Sequence, residues 1–179
     1  MKQTLAYHPL LVALHWALAV LIVAALAIGF FGLAGMPEAD PRKIALLRLH
    51  MAGGILILVL MAIRFVVRAR TARPAAATSG YALLDRLAPI AHYGFYVLVL
   101  LMVATGYATG ILAGLPAIVF GGSGDPLPAS FAIYPPFAAH FYIATLLVAL
   151  IALHVLAALH HQFVRKDGLF GRMSFGRRA

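Results

Sequence analysis

The sequence predicts an all-α integral membrane protein, a four-helix up-down-up-down bundle, on three observations. First, 64% of its 179 residues are apolar and only 11% are charged, against roughly 45–50% and about 25% in a soluble domain. So few charges cannot cover a soluble surface of this size. Second, four apolar runs stand out, residues 9–33, 44–67, 88–115 and 137–161, each longer than the ~20 residues that cross a ~30 Å hydrocarbon core. Third, the connections between the runs are short enough to join antiparallel neighbours. The whole chain, 1–179, reads as one domain without an internal repeat.

Each element has its own signals. Pro9 suits the first turn of helix one, where a missing N–H costs nothing, and Gly35-Met36-Pro37 ends that helix. Its apolar length, about 24 residues, exceeds the ~7–15 of a secretory signal core, so the segment is expected to persist as a helix. Pro41 precedes helix two, and residues 69–80 form a polar connection rich in Ala, Pro, Thr, Ser and Gly. Tyr81–Leu87 reads as an interfacial turn before Pro89 opens helix three. The 121–128 stretch, Gly-Gly-Ser-Gly-Asp-Pro-Leu-Pro, is the longest irregular segment, and Pro135-Pro136 opens helix four.

The net charge of +9 would suggest nucleic acid in a soluble protein, but its distribution tells otherwise. Arg64, Arg68, Arg70, Arg73 and Arg86 gather around the second connection, and Arg165, Lys166, Arg172, Arg177 and Arg178 in the tail, while 113–136 has no Lys or Arg. Such cations collect on the cytoplasmic side, which predicts a multi-pass protein with both termini cytoplasmic. No aromatic-interleaved basic module for nucleic acid is present. The absence of cysteine excludes disulfides, thiolate metal sites and covalent c-type haem attachment.

Ionisable side chains inside a span are costly and are functional candidates by default. Of eight histidines, His15, His50, His140 and His154 lie within the apolar runs away from the helix ends. With helices alternating in direction they fall at two depths: His15 with His154 near the cytoplasmic face, and His50 with His140 near the outer face. His140 and His154 are 14 residues apart, a rise of about 21 Å and only ~40° from a whole number of turns, so both project from one face of helix four. Facing imidazoles at two depths are what two bis-histidine b haems require, since the iron takes ligands above and below the ring. Gly53 and Gly54 beside His50, and Ala157 and Ala158 beside His154, leave room for a ring. A bare metal would want carboxylates or three clustered ligands, and the apolar runs contain no acid.

Other residues are candidates for supporting roles. Arg64, 14 residues after His50 on nearly the same face, reaches the inner level, where a haem propionate would pair with it; a membrane-end arginine snorkelling to phosphates gives the same placement. Arg48 is the corresponding candidate at the outer level. His92, early in helix three, competes with His15 as partner of His154 and is, with His161, a candidate for proton transfer at the inner level. His161, two turns past His154, is a candidate for a proton-carrying or quinone-contacting role, against a residue that only touches lipid headgroups. His8 and His160 receive no assignment.

These residues carry a resemblance that spans essentially the whole chain. His15-Trp16, the stretch HMAGGILILVLMAIR from His50 to Arg64, His92-Tyr93-Gly94-Phe95-Tyr96, and HFYIATLLVALIALHVLAALHHQFVRKDG from His140 to Gly168 resemble the prokaryotic cytochrome b561 family of four-helix di-haem membrane proteins. The resemblance implies two haem b groups, with iron ligands His15, His154, His50 and His140. It also implies electron transfer between a periplasmic-side donor and the quinone pool, ubiquinone being the acceptor and superoxide a donor associated with the family. The chain departs in having Ala138-Ala139 where a tryptophan is expected beside His140 and few cations in the outer connections. The alternative is the cytochrome b anchor subunit of a respiratory dehydrogenase or hydrogenase, and a haem-free transporter or scaffold is a third class. The expected partners are the lipid bilayer and quinone, with a soluble redox partner or a homodimer compatible with the sequence.

Overall fold

A computed structural model describes residues 6–76 and 78–175 of the chain. Four long helices dominate, with no strand among the described residues. Helix α1 runs Pro9–Ala27 and continues as a π-helical turn, Ile28–Leu33; α2 is Arg42–Arg70, α3 Ala82–Leu112, and α4 Pro135–Leu159 followed by a π-helical turn, His160–Arg165. His8 caps α1 by accepting the Leu10 N–H through Nδ1, and Pro9 and Pro135 occupy first-turn positions, as their fixed φ and missing N–H favour. At the far end of α4 the chain leaves the helix through Lys166 and Gly168, both with left-handed backbone (φ 53° and 71°). Glycine adopts that conformation without strain.

Each long helix is apolar enough to cross a membrane, over Pro9–Leu33, Arg42–Arg70, Ala82–Leu112 and Pro135–Arg165. At 25 to 31 residues and ~1.5 Å per residue, they outreach the hydrocarbon core and place their ends among headgroups. The outside of the bundle is as apolar as the inside, with Val20 68%, Tyr142 71% and Phe31 88% exposed. Such a surface suits lipid and would aggregate in water.

Helix α3 begins at Ala82 rather than near Ala88, so Pro89 lies inside it and Asp85 in its first turn. The proline removes only one N–H, and the Asp85 carboxylate secures this end by accepting the Ser79 N–H at 2.6 Å. That tie between side chain and preceding loop is a tertiary feature, and the sequence suggests a turn there instead. Asp85 thus falls within a helix whose apolar portion carries no acid.

Helix α1 packs chiefly on α2 and α3 on α4, with α2 against α3 closing the bundle. Leu18, Ile57, Met61, Val99 and Leu147 are buried together in mid-bundle. A second cluster, Leu47, Ala113, Leu115 and Val119, joins the first and third connections to the helix ends there; we call this the loop end. At the opposite, tail end, Trp16 donates to the Met173 carbonyl, Arg165 to that of Ser79 and Arg172 to that of Ala75. The mid-bundle layer therefore separates two ends that are each stapled by their own connections.

Candidate cofactor sites

At the loop end, α2 and α4 bring His50 and His140 together with ring centroids 6.1 Å apart. At the tail end, α1 and α4 bring His15 to 6.2 Å from His154. A ring nitrogen on each side of one metal, bonded at about 2 Å, puts the centroids roughly 6 Å apart, so both pairs fit axial ligation of a single ion. Among the described residues no three His, Asp or Glu side chains form a metal-holding group. A pair supplies only two ligands, and the remaining positions must come with the metal, as the porphyrin nitrogens of a haem do.

The loop-end pair lines a cavity of about 570 Å³, within the roughly 300–1,000 Å³ of cofactor and ligand sites. Its walls are apolar, drawn from α1 to α4, with Ile22, Leu26, Val99 and Leu147 among them. Two glycines make space for the imidazoles. A Cβ on Gly106 would stand 3.0 Å from His140 Cε1, and one on Gly29 3.6 Å from His50 Cε1. Gly53 and Gly54, singled out from the sequence, have open space above them, and Gly54 lies in the cavity wall.

His140 is oriented by its other nitrogen: Nδ1 donates to the Met102 carbonyl at 3.0 Å, with Thr105 Oγ1 3.2 Å away. A carbonyl only accepts, so Nδ1 carries the proton and Nε2 keeps its lone pair for a metal. His50 Nδ1 is buried without a formed hydrogen bond, with the Ala25 carbonyl beside it. With Nδ1 directed toward that carbonyl, Nε2 is the nitrogen left for a metal. The residues fit a flat, bis-histidine cofactor here.

The tail-end pair has a more crowded setting. His92 on α3 lies 5.7 Å from His154, nearer than His15, and Phe95 lies 5.4 Å away. Both candidates for the partner of His154 are thus within reach of it. The Arg64 guanidinium enters the same region and donates to the Leu11 carbonyl at 3.0 Å, one helical turn from His15. Tyr96, one turn past His92, has a buried hydroxyl beside Arg64, a feature the sequence reading passed over; its i+4 spacing from His92 was the available signal.

Arg48 donates twice to the Val119 carbonyl, at 2.6 and 2.9 Å, tying α2 to the third connection, and it is absent from the cavity wall. The cavity's cation is Lys43, 3% exposed. His161 sits at the membrane end of α4 and pairs with Asp167 at 2.5 Å. That bond holds the Asp167 carboxyl below the usual carboxylate range, Arg165 adding a smaller contribution.

Fold and site together define a four-helix membrane protein with paired histidines between its helices. Residues 6–176 match the family described as Prokaryotic cytochrome b561, and the chain belongs to that family. It is 30% identical over 171 residues to "Cytochrome b561 homolog 2" of Escherichia coli (strain K12), covering 93% of this chain and 90% of that protein. It is likewise 30% identical over 173 residues to "Probable superoxide oxidase CybB" of Yersinia pestis, covering 93% of this chain and 94% of that one. Membership makes it a membrane cytochrome b of electron transfer.

Proposed function

We propose that this cytochrome binds two b haems and carries electrons across the bacterial inner membrane, from a donor at the loop end to the quinone pool at the tail end. The observation that carries the proposal is the repetition of one ring spacing, 6.1 and 6.2 Å, at two levels of α4 about 21 Å apart. His50 and His140 would hold one iron, His154 and His15 the other. Bound haem supplies one-electron chemistry at its iron. The chain's own contribution is to orient the His140 imidazole through Met102 and Thr105 and to keep water out with apolar walls. Arg64 supplies a cation toward a propionate at the tail-end level. Arg and Lys are concentrated at the tail end, which supports its facing the cytoplasm and the loop end facing the periplasm.

His161 is the proposed contact for quinone. It is an imidazole at the end of the fourth span, and its bond to Asp167 fixes the orientation of the ring. Superoxide is the first donor to test, since the Yersinia pestis relative is a probable superoxide oxidase.

The test begins with a pyridine haemochrome assay of the purified protein, with two haems per chain expected and one or none counting against the proposal. Stopped-flow mixing then follows reoxidation by a water-soluble ubiquinone analogue. His161→Ala should slow that step while leaving both haem spectra intact. If quinone and superoxide both leave the haem spectrum unchanged while a co-purifying soluble enzyme reduces it, the chain is the anchor subunit of a larger complex.

A further inference from the structure

The buried lysine of the loop-end cavity is unexplained by the histidine pair. Lys43 stands seven residues before His50 on α2, two turns and about 10 Å further out, and only ~20° from its face. Both line the same cavity, and among its described lining residues Lys43 is the one Lys or Arg. The ammonium donates to the Met36 carbonyl at 2.7 Å, pairs with Glu38 Oε1 at 2.8 Å and lies 5.9 Å from the Phe131 ring centroid. An ammonium has three donors, so one remains. The Glu38 carboxylate is also incomplete: Oε2 is buried without a donor.

We infer that Lys43, held in place by Glu38, is the residue that receives a carboxylate of the haem bound between His50 and His140. The inference rests on the two-haem reading above. Arg48, the cation that the sequence suggested for this role, is engaged with the Val119 carbonyl outside the cavity wall. Arg42 is likewise engaged, with Asp40 at 2.7 Å. Lys43 alone combines burial, an unused donor and a position above His50. A buried cation is costly unless paired, and Glu38 supplies that pairing before any haem arrives.

A lysine that only clamped the Met36 carbonyl would leave the haem's potential alone. A cation beside the bound haem favours its reduced, more negative state, and an anion opposes it. Lys43 and Glu38 should therefore move the loop-end midpoint potential in opposite directions.

The experiment is a potentiometric titration of the purified holoprotein, with haem content measured for every variant. Lys43→Met should lower the potential of the loop-end haem, or release that haem alone, while the tail-end haem keeps its content and potential; Lys43→Arg should restore the wild-type value. Glu38→Gln should raise the loop-end potential. A wild-type protein with fewer than two haems refutes the two-haem reading itself. Two haems with an unaltered loop-end potential in Lys43→Met refute the assignment and leave Lys43 as a clamp on Met36. If Lys43→Met does not accumulate, Glu38→Gln decides: an unaltered loop-end potential overturns the inference.

Discussion

The loop end and the tail end of the bundle hold histidine rings at the same spacing in different surroundings. At the loop end His50 and His140 face each other across an apolar cavity, and no third histidine lines its wall. His140 is fixed by Met102 and Thr105 and fits against the bare backbone of Gly106. At the tail end His154 has two imidazole neighbours, His15 and His92, with Arg64 and the Tyr96 hydroxyl close by. One end has a single solution to pairing, and the other has a spare ligand. A level with a spare ligand tolerates the loss of one side chain that a level without one does not, so mutational sensitivity separates the two.

The largest expected effect is therefore at the loop end. His140→Ala or His50→Ala should reduce haem content from two per chain to one, as counted by pyridine haemochrome, because no described histidine stands in reserve. At the tail end His15→Ala should keep two haems per chain, with His92 standing by, and shift the low-spin signal of one of them, while His92→Ala should leave that signal unchanged, since the His15 spacing matches that of the loop-end pair. The reverse pattern in low-temperature electron paramagnetic resonance would assign His92 as the ligand and reorder this level.

A smaller effect should follow from the wall rather than the ligand. Gly106→Val places a side chain where even a Cβ would approach His140 to 3.0 Å, an overpacking of about 1–3 kcal/mol. It should shift the loop-end haem absorption and lower the thermal midpoint of haem release. Gly53→Ala, with nothing within 4 Å of its Cβ, should leave both at their wild-type values. Thr105→Val tests the hydrogen bond to His140, about 0.5–1.5 kcal/mol in general, and should loosen the loop-end haem without displacing it.

The smallest effect lies outside the membrane. Hydrogen bonds from Arg42 lower the Asp40 pKa to about 2 from 3.8. A depressed carboxylate pKa contributes stability above the unfolded value and loses it as pH falls through the folded one. The contribution should be constant above about pH 4 and fade toward pH 2. The pair is exposed, so solvent screens it, and Asp40→Asn should change acid stability only slightly. Thermal denaturation of Asp40→Asn and wild type should diverge least in that acid window and in high salt. A wider gap at pH 3 than at pH 7 would contradict this origin.

Much of this architecture is legible in the sequence because membranes impose long-period rules. An apolar run must be helical for its backbone to be satisfied, so four runs give four helices. A 14-residue interval returns a side chain to nearly the same helix face, so His140 and His154 share one direction whatever packs around them. The same arithmetic puts Lys43 above His50 and Tyr96 above His92, but hydropathy gives a lysine at a helix end and a tyrosine in mid-span no special weight. The extension of α3 to Ala82 was hidden for a related reason: Pro89 reads as a start, and the Asp85–Ser79 bond that lets the helix begin earlier depends on where the loop folds.

By itself the sequence determined the four spans, their alternation and the two depths at which histidines meet, because these follow from helix rise and the cost of exposing backbone to lipid. Only the tertiary structure decided which neighbours each side chain found. It turned Arg48 to a backbone carbonyl, brought Lys43 into the cavity with Glu38, set Gly106 against His140 and put two histidines beside His154. Those outcomes depend on how the helices rotate and pack against one another and on where the connections fold, and neither hydropathy nor periodicity along one helix carries that information.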